Sequence, residues 1–412
     1  QLVPLAERTN ALLEDVFVDG NGGRHDVSDM ERFIASKPRH GEKSQHVTMF
    51  IWATDLGVMY ARTRDSRYAR KLVELFRAYN RAFPRRVTNT NPENPWLDES
   101  HPPGWHEMFV GKAAMHMVAT LYTGILHDPS VTLGDVYILI KKLWFYAAQF
   151  TRFTKVETYK HYNHHWYERG ACPFMLGLMF PEFEGFEAMR ERGREVINQH
   201  LELDFFDDGS YLEHSTCYNA GTMGADLLVP WTCAFANDFP LIKPENLGHV
   251  RSWLSWCAGL TRPDGVLPAI GDEFDSTPLN RLGRGAVLLG DPGLKGFSES
   301  LNALAGGAEA LGYWADNVLG LEECLLPAWE ALPSDRPSFA SAVFPDGGWV
   351  ALRDSWEPDA MYFALSAIRP PMGANHGHWD LLHFLAYARG RSFIADPASW
   401  IYNGYYTAER RG

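Results

Sequence analysis

The spacing of apolar residues changes once along this chain, near residue 332, and this change limits the fold more than any other feature. Before it, apolar residues recur at intervals of three and four, which is the period of an amphipathic α-helix. Clusters rich in proline and glycine separate the periodic segments. The clearest helical segments are Val47–Ala61, Tyr68–Tyr79, Lys112–Tyr122, Val136–Ala147 and Val250–Cys257. Many helices of about 12 to 18 residues joined by loops favour an α/α toroid for residues 1–332, with the inner helix ends lining a cleft.

After residue 332 the segments become short and rich in β-branched and aromatic residues, which is typical of strands. Three of them are Phe339–Phe344, Gly348–Arg353 and Met361–Ser366, and Pro345–Gly348 has the composition of a hairpin turn between the first two. We therefore predict an antiparallel β-sheet domain over residues 337–412. Only about five or six strands can be counted, so we expect a sandwich-type domain that is cut short in this sequence.

The composition is that of a globular protein that does not bind nucleic acid. The 412 residues are 46% hydrophobic and 13% aromatic, which suits a large core and aromatic-lined clefts. A formal net charge of −13 argues against general nucleic-acid binding and limits an anionic substrate to a locally basic cleft. The sequence has no apolar run of about 18 residues, so no membrane span is predicted. The five scattered cysteines, without a CxxC pair, favour buried thiols over a disulfide framework.

Two histidines, His376 and His378, are separated by one residue, so on extended backbone both side chains point to the same side. Residues 383–396 have the pattern of two short strands that turn at Gly390. This hairpin would return Asp396 to a position beside His378, where the two could bind a divalent metal. The alternative is a pair of solvated loop histidines near a turn aspartate.

A locally basic strip over residues 155–170 combines an amide, histidines and aromatic rings. Its candidate binding residues are Asn163, His164, His165, Trp166, Glu168 and Arg169. The amide and imidazoles could hold a carboxylate by hydrogen bonds while a ring stacks on a sugar. The alternative is a histidine-rich helix start that Asn163 caps.

Two tyrosine-containing segments are further candidates. In residues 207–219 an Asp-Asp-Gly turn leads to Tyr218, and a tyrosine near a cationic side chain can serve as an acid or a base. In residues 395–406 the aromatic residues, Tyr406 among them, could close over a saccharide. The alternatives are an amphipathic boundary residue for Tyr218 and a core-facing strand residue for Tyr406. The sequence has no P-loop, GxSxG, HExxH or GxGxxG motif.

Five segments, taken in order over most of the chain, resemble the heparinase II/III-like superfamily of polysaccharide lyases. They are NHHWYE at 163–168, DGSYLEHSTCY at 208–218, PDGVLPAIGD at 263–272, GWVALRDSW at 348–356, and HGHWD at 376–380 with Asp396. Each segment is modest alone, and the five in order are specific. The resemblance implies an incomplete α/α toroid followed by antiparallel β-sheets, with the active site between them. It also implies β-elimination at a uronic acid, which leaves a 4,5-unsaturated sugar.

The resemblance also implies roles for single residues. Tyr218 matches the catalytic tyrosine, His376 a catalytic histidine and Tyr406 a further active-site tyrosine. Asn163 with His164 matches the pair that neutralises the substrate carboxylate and supplies a second base. His165 is the alternative to His164, because Glu168 follows it by three residues as in heparinase II. The expected substrate contacts are Trp166, Glu168 and Arg169.

By the same resemblance, His378 and Asp396 match two ligands of a zinc or similar divalent ion with a structural role. The third ligand of that ion is a histidine expected beyond Gly412, and no organic cofactor is implied. The sequence begins at Gln1 without an initiator methionine or a leader segment. Together with the resemblance, this start predicts a periplasmic or secreted protein.

We therefore expect a lyase that acts on a glycosaminoglycan such as heparin, heparan sulfate, chondroitin or hyaluronan, with alginate as the next choice. A glycoside hydrolase on an α/α toroid would instead need two carboxylic acids across the cleft. Asp207, Asp208, Glu213 and Asp272 are the candidates for that pair. A non-catalytic carbohydrate-binding protein is the remaining alternative.

Overall fold

The structure is a computed structural model that describes residues 3–18, 22–35, 49–82, 107–153, 166–272, 278–304, 321–336, 341–367, 376–378, 381–396, 401–402 and 405–406. Its α-helices are α1 (Leu5–Leu13), α2 (Met30–Ala35), α3 (Ile51–Thr63), α4 (Ser66–Ala82), α5 (Glu107–Tyr122), α6 (Leu133–Phe153), α7 (Cys172–Met179), α8 (Phe186–Asp204), α9 (Met223–Ala236), α10 (Leu247–Leu260), α11 (Leu279–Leu289), α12 (Pro292–Leu304) and α13 (Leu321–Ala331). Two π-helical segments, Trp166–Ala171 and Cys217–Thr222, and two short 3₁₀ turns, Ile125–His127 and Pro244–Asn246, join this set.

The strands are β1 (Val16–Val18), β2 (Arg24–Asp26), β3 (Ala342–Phe344), β4 (Trp349–Arg353), β5 (Tyr362–Ser366), β6 (His383–Ala388), β7 (Arg391–Ile394), β8 (Ile401–Tyr402) and β9 (Tyr405–Tyr406). β3 to β7 form one antiparallel sheet in chain order, while β1–β2 and β8–β9 are separate two-stranded hairpins. The helical period of the sequence did not predict β1 and β2, because strands of three residues are too short to show an alternating pattern.

The predicted helices are confirmed, and α4 shows why the pattern is informative. Leu72, Leu75, Phe76 and Tyr79 repeat at three- and four-residue spacing and are all buried. The charged residues between them lie on the opposite, exposed face of the helix. Burial of this stripe stabilises the helix more than intrinsic helix propensity does. In the part of the chain that the structure describes, no helix is both long enough and apolar enough to cross a membrane.

The chain divides into two compact units. Residues 1–160 with 167–190 form the first, in which α3 packs on α4 and α5. Residues 161–166 with 191–412 form the second, in which α10 packs on α11, β3 and β4. The predicted boundary between residues 332 and 337 falls where helix gives way to strand, and as a division into domains it stays a prediction.

The sheet of the second unit has the alternation that its sequence predicts. In β4, Trp349, Ala351 and Arg353 are buried, and they face the helices of this unit. The predicted hairpin turns are present, at 345–348 between β3 and β4 and at Gly390 between β6 and β7. The other face carries apolar side chains as well, since Val343, Leu352 and Phe384 are exposed. A sheet that is apolar on both faces is typical of a layer within a sandwich.

Arg353 fastens the sheet to the carboxyl end of α10. Its Nη2 donates hydrogen bonds to the carbonyl oxygens of Gly259 at 2.6 Å and Thr261 at 2.7 Å. Tyr362 Oη donates to the carbonyl of Leu260 at 2.6 Å. The last carbonyls of a helix have no partner within the helix, and a cation there also meets the negative end of the helix dipole. The sheet therefore caps the helix on which it packs.

Arg353→Met is expected to lower the free energy of unfolding by about 3 kcal/mol, because buried helix-end carbonyls lose charged donors. Urea unfolding measures the change. Arg391→Met is the matched control, since Arg391 is exposed on β7. The control is expected to change the free energy of unfolding by less than about 0.5 kcal/mol. Equal effects of the two substitutions would contradict the anchoring role of Arg353.

Candidate active site

Tyr218 lies in the π-helical segment Cys217–Thr222 that leads into α9. The residues before it are fastened to the loop at 268–272. Thr216 Oγ1 donates to the carbonyl of Pro268 at 2.7 Å, and Ser215 Oγ donates to the carbonyl of Asp272 at 2.7 Å. The backbone N–H of Tyr218 donates to the Ser215 hydroxyl at 3.3 Å. Single π-helical turns within helices often occur at functional sites, and here the turn begins one residue before the predicted catalytic tyrosine.

The phenol ring of Tyr218 stacks on the imidazole of His376. The ring centroids are 3.5 Å apart and the planes differ by 8°. The structure thus brings together two of the residues predicted to be catalytic, although they are far apart in the sequence. Both side chains can transfer protons, and the pair lies within the second compact unit.

Asp272 holds both histidines of the 376–378 segment. Its Oδ2 lies 2.9 Å from His376 Nδ1, and its Oδ1 lies 3.2 Å from His378 Nε2. Its backbone N–H also donates to the carbonyl of His376 at 3.0 Å. The sequence had indicated Asp272 only as the end of a family segment and as a candidate glycosidase acid. No pattern in the sequence indicated that Asp272 contacts the two histidines.

Gly271 allows its own backbone segment to approach the backbone at His214 and His376 closely. Its φ of +74° is in the left-handed region, which residues with a side chain rarely adopt. A Cβ at this position would lie 2.8 Å from the carbonyl oxygen of His376 and 2.9 Å from that of His214. The segment therefore needs glycine for two reasons, backbone conformation and space.

The two predicted metal ligands, His378 and Asp396, each contact another residue. The β6–β7 hairpin is present, but it places Asp396 Oδ2 3.0 Å from Nε2 of His383, while His378 contacts Asp272. Asp396 follows β7, which runs antiparallel to β6, so it returns to the first residue of β6. Within the described ranges, no three His, Cys, Asp or Glu side chains are grouped to hold a metal ion. The described residues therefore do not by themselves form a metal site, and the zinc ligands stay a prediction.

Family models match nearly the whole chain. The heparinase II/III N-terminus model matches residues 11–283, and the heparinase II/III-like C-terminal model matches residues 336–411. The chain belongs to the heparinase II/III family. This confirms the superfamily that the five sequence segments predicted.

The heparinase II/III chain resembles curated relatives named heparin-sulfate lyase. One, from Pedobacter heparinus, is 20% identical over 353 residues, which cover 86% of this chain and 47% of the relative. Another, from Bacteroides stercoris, is 21% identical over 231 residues, covering 55% of this chain and 30% of the relative. The chain thus spans about half the length of the first of these relatives and less of the second.

Solved structures show the fold of this heparinase II/III chain. A crystal structure of heparinase III matches with a TM-score of 0.73 at 16% identity, covering 100% of this chain and 61% of that one. Heparan sulfate lyase HepC from Pedobacter heparinus matches with a TM-score of 0.65 at 17% identity, covering 99% and 57%. The predicted fold class is confirmed, with α/α-toroid helices followed by an antiparallel sheet.

The remaining predicted site residues of the heparinase II/III chain lie in the segments 163–169 and 405–406. Asn163, His164 and His165 lie outside the described residues. Trp166, Glu168 and Arg169 lie in the π-helical segment Trp166–Ala171, where the Arg169 side chain is buried and the other two side chains are not described. Tyr406 belongs to β9, and its backbone pairs with Ile401. The roles of these seven residues in binding or catalysis stay predictions.

The carboxylates that the sequence offered as a glycoside hydrolase pair lie in different surroundings. Asp208 Oδ2 accepts the backbone N–H groups of Asp346 at 2.7 Å and Gly347 at 3.0 Å, so Asp208 fastens its turn to the β3–β4 hairpin. Glu213 is buried, and Asp207 is exposed. Asp272 faces two imidazoles. This arrangement does not favour the hydrolase alternative.

A buried carboxyl group at the end of α8 predicts a pH-dependent stability. Asp204 is fully buried beside His200, with 2.5 Å between Oδ2 and Nδ1. Burial, together with the nearby Glu213 carboxylate, raises the pKa of Asp204 from 3.8 to about 8. Between these two values the folded chain holds a proton here that the unfolded chain has released. The contribution of Asp204 to the free energy of unfolding therefore falls as the pH rises from about 4 to about 8.

Asp204→Asn is expected to weaken this dependence, because an amide can donate to His200 as the protonated acid does and does not titrate. The melting temperature at about pH 5 and about pH 8 measures the effect. Asp207→Asn, at an exposed position nearby, is the control. Its melting temperatures at the two pH values should differ as much as those of the wild type. An unchanged difference in Asp204→Asn would contradict the raised pKa of Asp204.

Proposed function

We propose that this chain carries the catalytic centre of a polysaccharide lyase that cleaves a uronic-acid-containing polysaccharide by β-elimination. The observation that supports it most directly is the stacked pair of Tyr218 and His376, with Asp272 against the imidazole. An elimination needs a base for the C5 proton and an acid for the departing oxygen, and both of these side chains can transfer protons. The relatives named heparin-sulfate lyase add support from the same family.

The chemical difficulty of the reaction is the weak acidity of the C5 proton of a uronate. Its removal produces a dianionic enolate, so the enzyme must neutralise the carboxylate where that charge develops. We assign this task to Asn163 with His164 or His165, and we expect Arg169 and Trp166 to contact the sugar. A local cation is needed because the protein as a whole carries a net charge of −13.

Tyr218 and His376 then divide the proton transfers. Tyr218 protonates the departing O4, and it also takes the C5 proton when that proton and the leaving group lie on the same face of the sugar. When they lie on opposite faces, His376 serves as the base. Its Nδ1 lies on Asp272, so in the neutral ring Nε2 presents the lone pair that a base needs.

Heparan sulfate or heparin is the proposed substrate class, followed by chondroitin and hyaluronan, with alginate as the alternative. A panel of these polymers, assayed by ultraviolet absorbance and product sizing, tests the proposal. Only elimination creates a conjugated double bond, so absorbance must rise with one glycosaminoglycan at least. Cleavage without absorbance would indicate a hydrolase, and binding without cleavage would indicate a carbohydrate-binding protein. A rise with alginate alone would transfer the proposal to that substrate.

We further propose that His378 and Asp396 contribute to a zinc site with a structural role, completed by a ligand outside the described residues. When bound, the ion would brace the sheet loop that carries His376. Elemental analysis of the full-length protein tests this, with about one zinc expected per chain. A full-length protein without bound metal would leave His378 and Asp396 as hydrogen-bonding residues only.

Such a substrate is a polymer found outside cells, so we propose that the protein is periplasmic or secreted. Fractionation of cells that express the full-length protein tests this location. Recovery from the cytosol alone would contradict it.

A further inference from the structure

We infer that Asp272 is a positioning residue for the elimination, acting through the imidazole of His376. This inference rests on the proposed lyase function and adds to it a residue without an assigned role. Asp272 comes from the loop after α10, whereas His376 comes from the segment before β6. A single carboxylate therefore sets the place of a catalytic ring that comes from a different segment of the chain.

Two hydrogen bonds fix the backbone of Asp272 before its side chain acts. Its N–H donates to the His376 carbonyl at 3.0 Å, and its carbonyl accepts the Ser215 hydroxyl at 2.7 Å. The same hydroxyl accepts the N–H of Tyr218. The backbone of Asp272 is thus linked on one side to the histidine and on the other to the tyrosine, so the carboxylate can align the two rings with each other.

The two carboxylate oxygens act on two rings. Oδ2 accepts from His376 Nδ1 and Oδ1 from His378 Nε2, at 2.9 Å and 3.2 Å. An ionised carboxylate is only an acceptor, so the hydrogen of the neutral His376 ring is held on Nδ1. The contact also holds the ring parallel to Tyr218, with 3.5 Å between the centroids. Asp272 thereby specifies the tautomer and the orientation that a base at Nε2 requires.

Asp272→Asn is the direct test, since an amide has the same shape but offers only one acceptor for two imidazole donors. We expect kcat to fall about 10²-fold, with KM changed by less than about threefold. In a His376→Ala background, the same substitution should lower kcat by less than about twofold, because its effect passes through the missing ring. Equal losses of kcat in both backgrounds would overturn the proposal.

Two further variants complete the test. One separates the position of the Asp272 carboxylate from its charge, and the other is a control for changes in the same loop. Asp272→Glu keeps the charge but shifts the oxygens by one methylene, so kcat should fall here too, and a wild-type kcat would overturn the proposal. Asp264→Asn is the control in the same loop, where the carboxylate pairs with Arg262 at 2.6 Å. It should keep kcat within about twofold of wild type. Melting temperatures of all variants show whether each is folded.

A readout that does not need activity separates this inference from the proposed function. Nitrogen NMR of labelled histidine at one fixed pH reports which ring nitrogen of His376 carries the hydrogen. We expect Nδ1–H in the wild type and a changed signal in Asp272→Asn. If no polymer yields unsaturated product, the lyase proposal fails while this experiment still decides the positioning. An unchanged His376 signal in Asp272→Asn would overturn the inference even in an active enzyme.

Discussion

Tyr218→Phe is expected to lower turnover by about 10³-fold, while KM changes little. The substitution removes the hydroxyl group, and with it the proton that this side chain can transfer. It keeps the ring that stacks on His376. Substrate should therefore still bind, because the aromatic surface and the shape of the site persist. The loss should appear in kcat, since the phenol acts where the leaving oxygen acquires charge. Initial rates of ultraviolet absorbance against substrate concentration measure both constants.

Tyr387→Phe is the matched control for Tyr218→Phe. Tyr387 lies on β6, and its hydroxyl donates to the carbonyl of Pro358 at 3.4 Å. The removal of this hydroxyl should leave kcat within about twofold of wild type. Wild-type turnover in Tyr218→Phe would show that Tyr218 is neither the acid nor the base.

Gly271→Ala is expected to lower both stability and activity. The left-handed backbone alone costs an alanine about 1 kcal/mol. The Cβ would also meet the carbonyl oxygens of His376 and His214, at 2.8 Å and 2.9 Å, and backbone atoms cannot turn aside as a side chain can. We expect a total loss of about 3 kcal/mol in the free energy of unfolding. Because the loop must move away from His376, kcat should fall at least about tenfold in the protein that remains folded.

Gly265→Ala separates the two causes in Gly271→Ala. Gly265 has a similar φ of +81°, but among the described residues a Cβ there would meet only the side chain of Leu301, at 3.4 Å. It should cost about 1 kcal/mol of stability and leave kcat unchanged. Urea unfolding and initial rates measure both variants. Equal stability losses in the two would contradict the steric role assigned to Gly271.

Sequence patterns predicted the elements because these depend on contacts that are local in the chain. The three- and four-residue spacing of Leu72, Leu75, Phe76 and Tyr79 specifies one apolar stripe, and α4 buries it. The alternation in Gly348–Arg353 specifies one buried face in the same way. The short strands β1 and β2 escaped this reasoning because three residues contain no full alternation.

The roles suggested by the family resemblance were informative at Tyr218 and His376, which lie in contact. Spacing alone did not indicate that Asp396 contacts His383, since a hairpin pattern predicts that two strands pair but not which residue faces which. Asp396 Oδ2 lies 3.0 Å from His383 Nε2. Asp272 carried no sign in the sequence of contact with two histidines about a hundred residues further along.

By itself, the sequence determined the helical part, the antiparallel sheet after residue 332, the family, and the residue types able to transfer a proton. Only the tertiary structure decided that Asp272 meets His378, and that Gly271 must lack a side chain for this to occur. The reason is physical. Periodicity records how each segment buries its own apolar face, whereas a contact between distant segments depends on the path of the backbone between them.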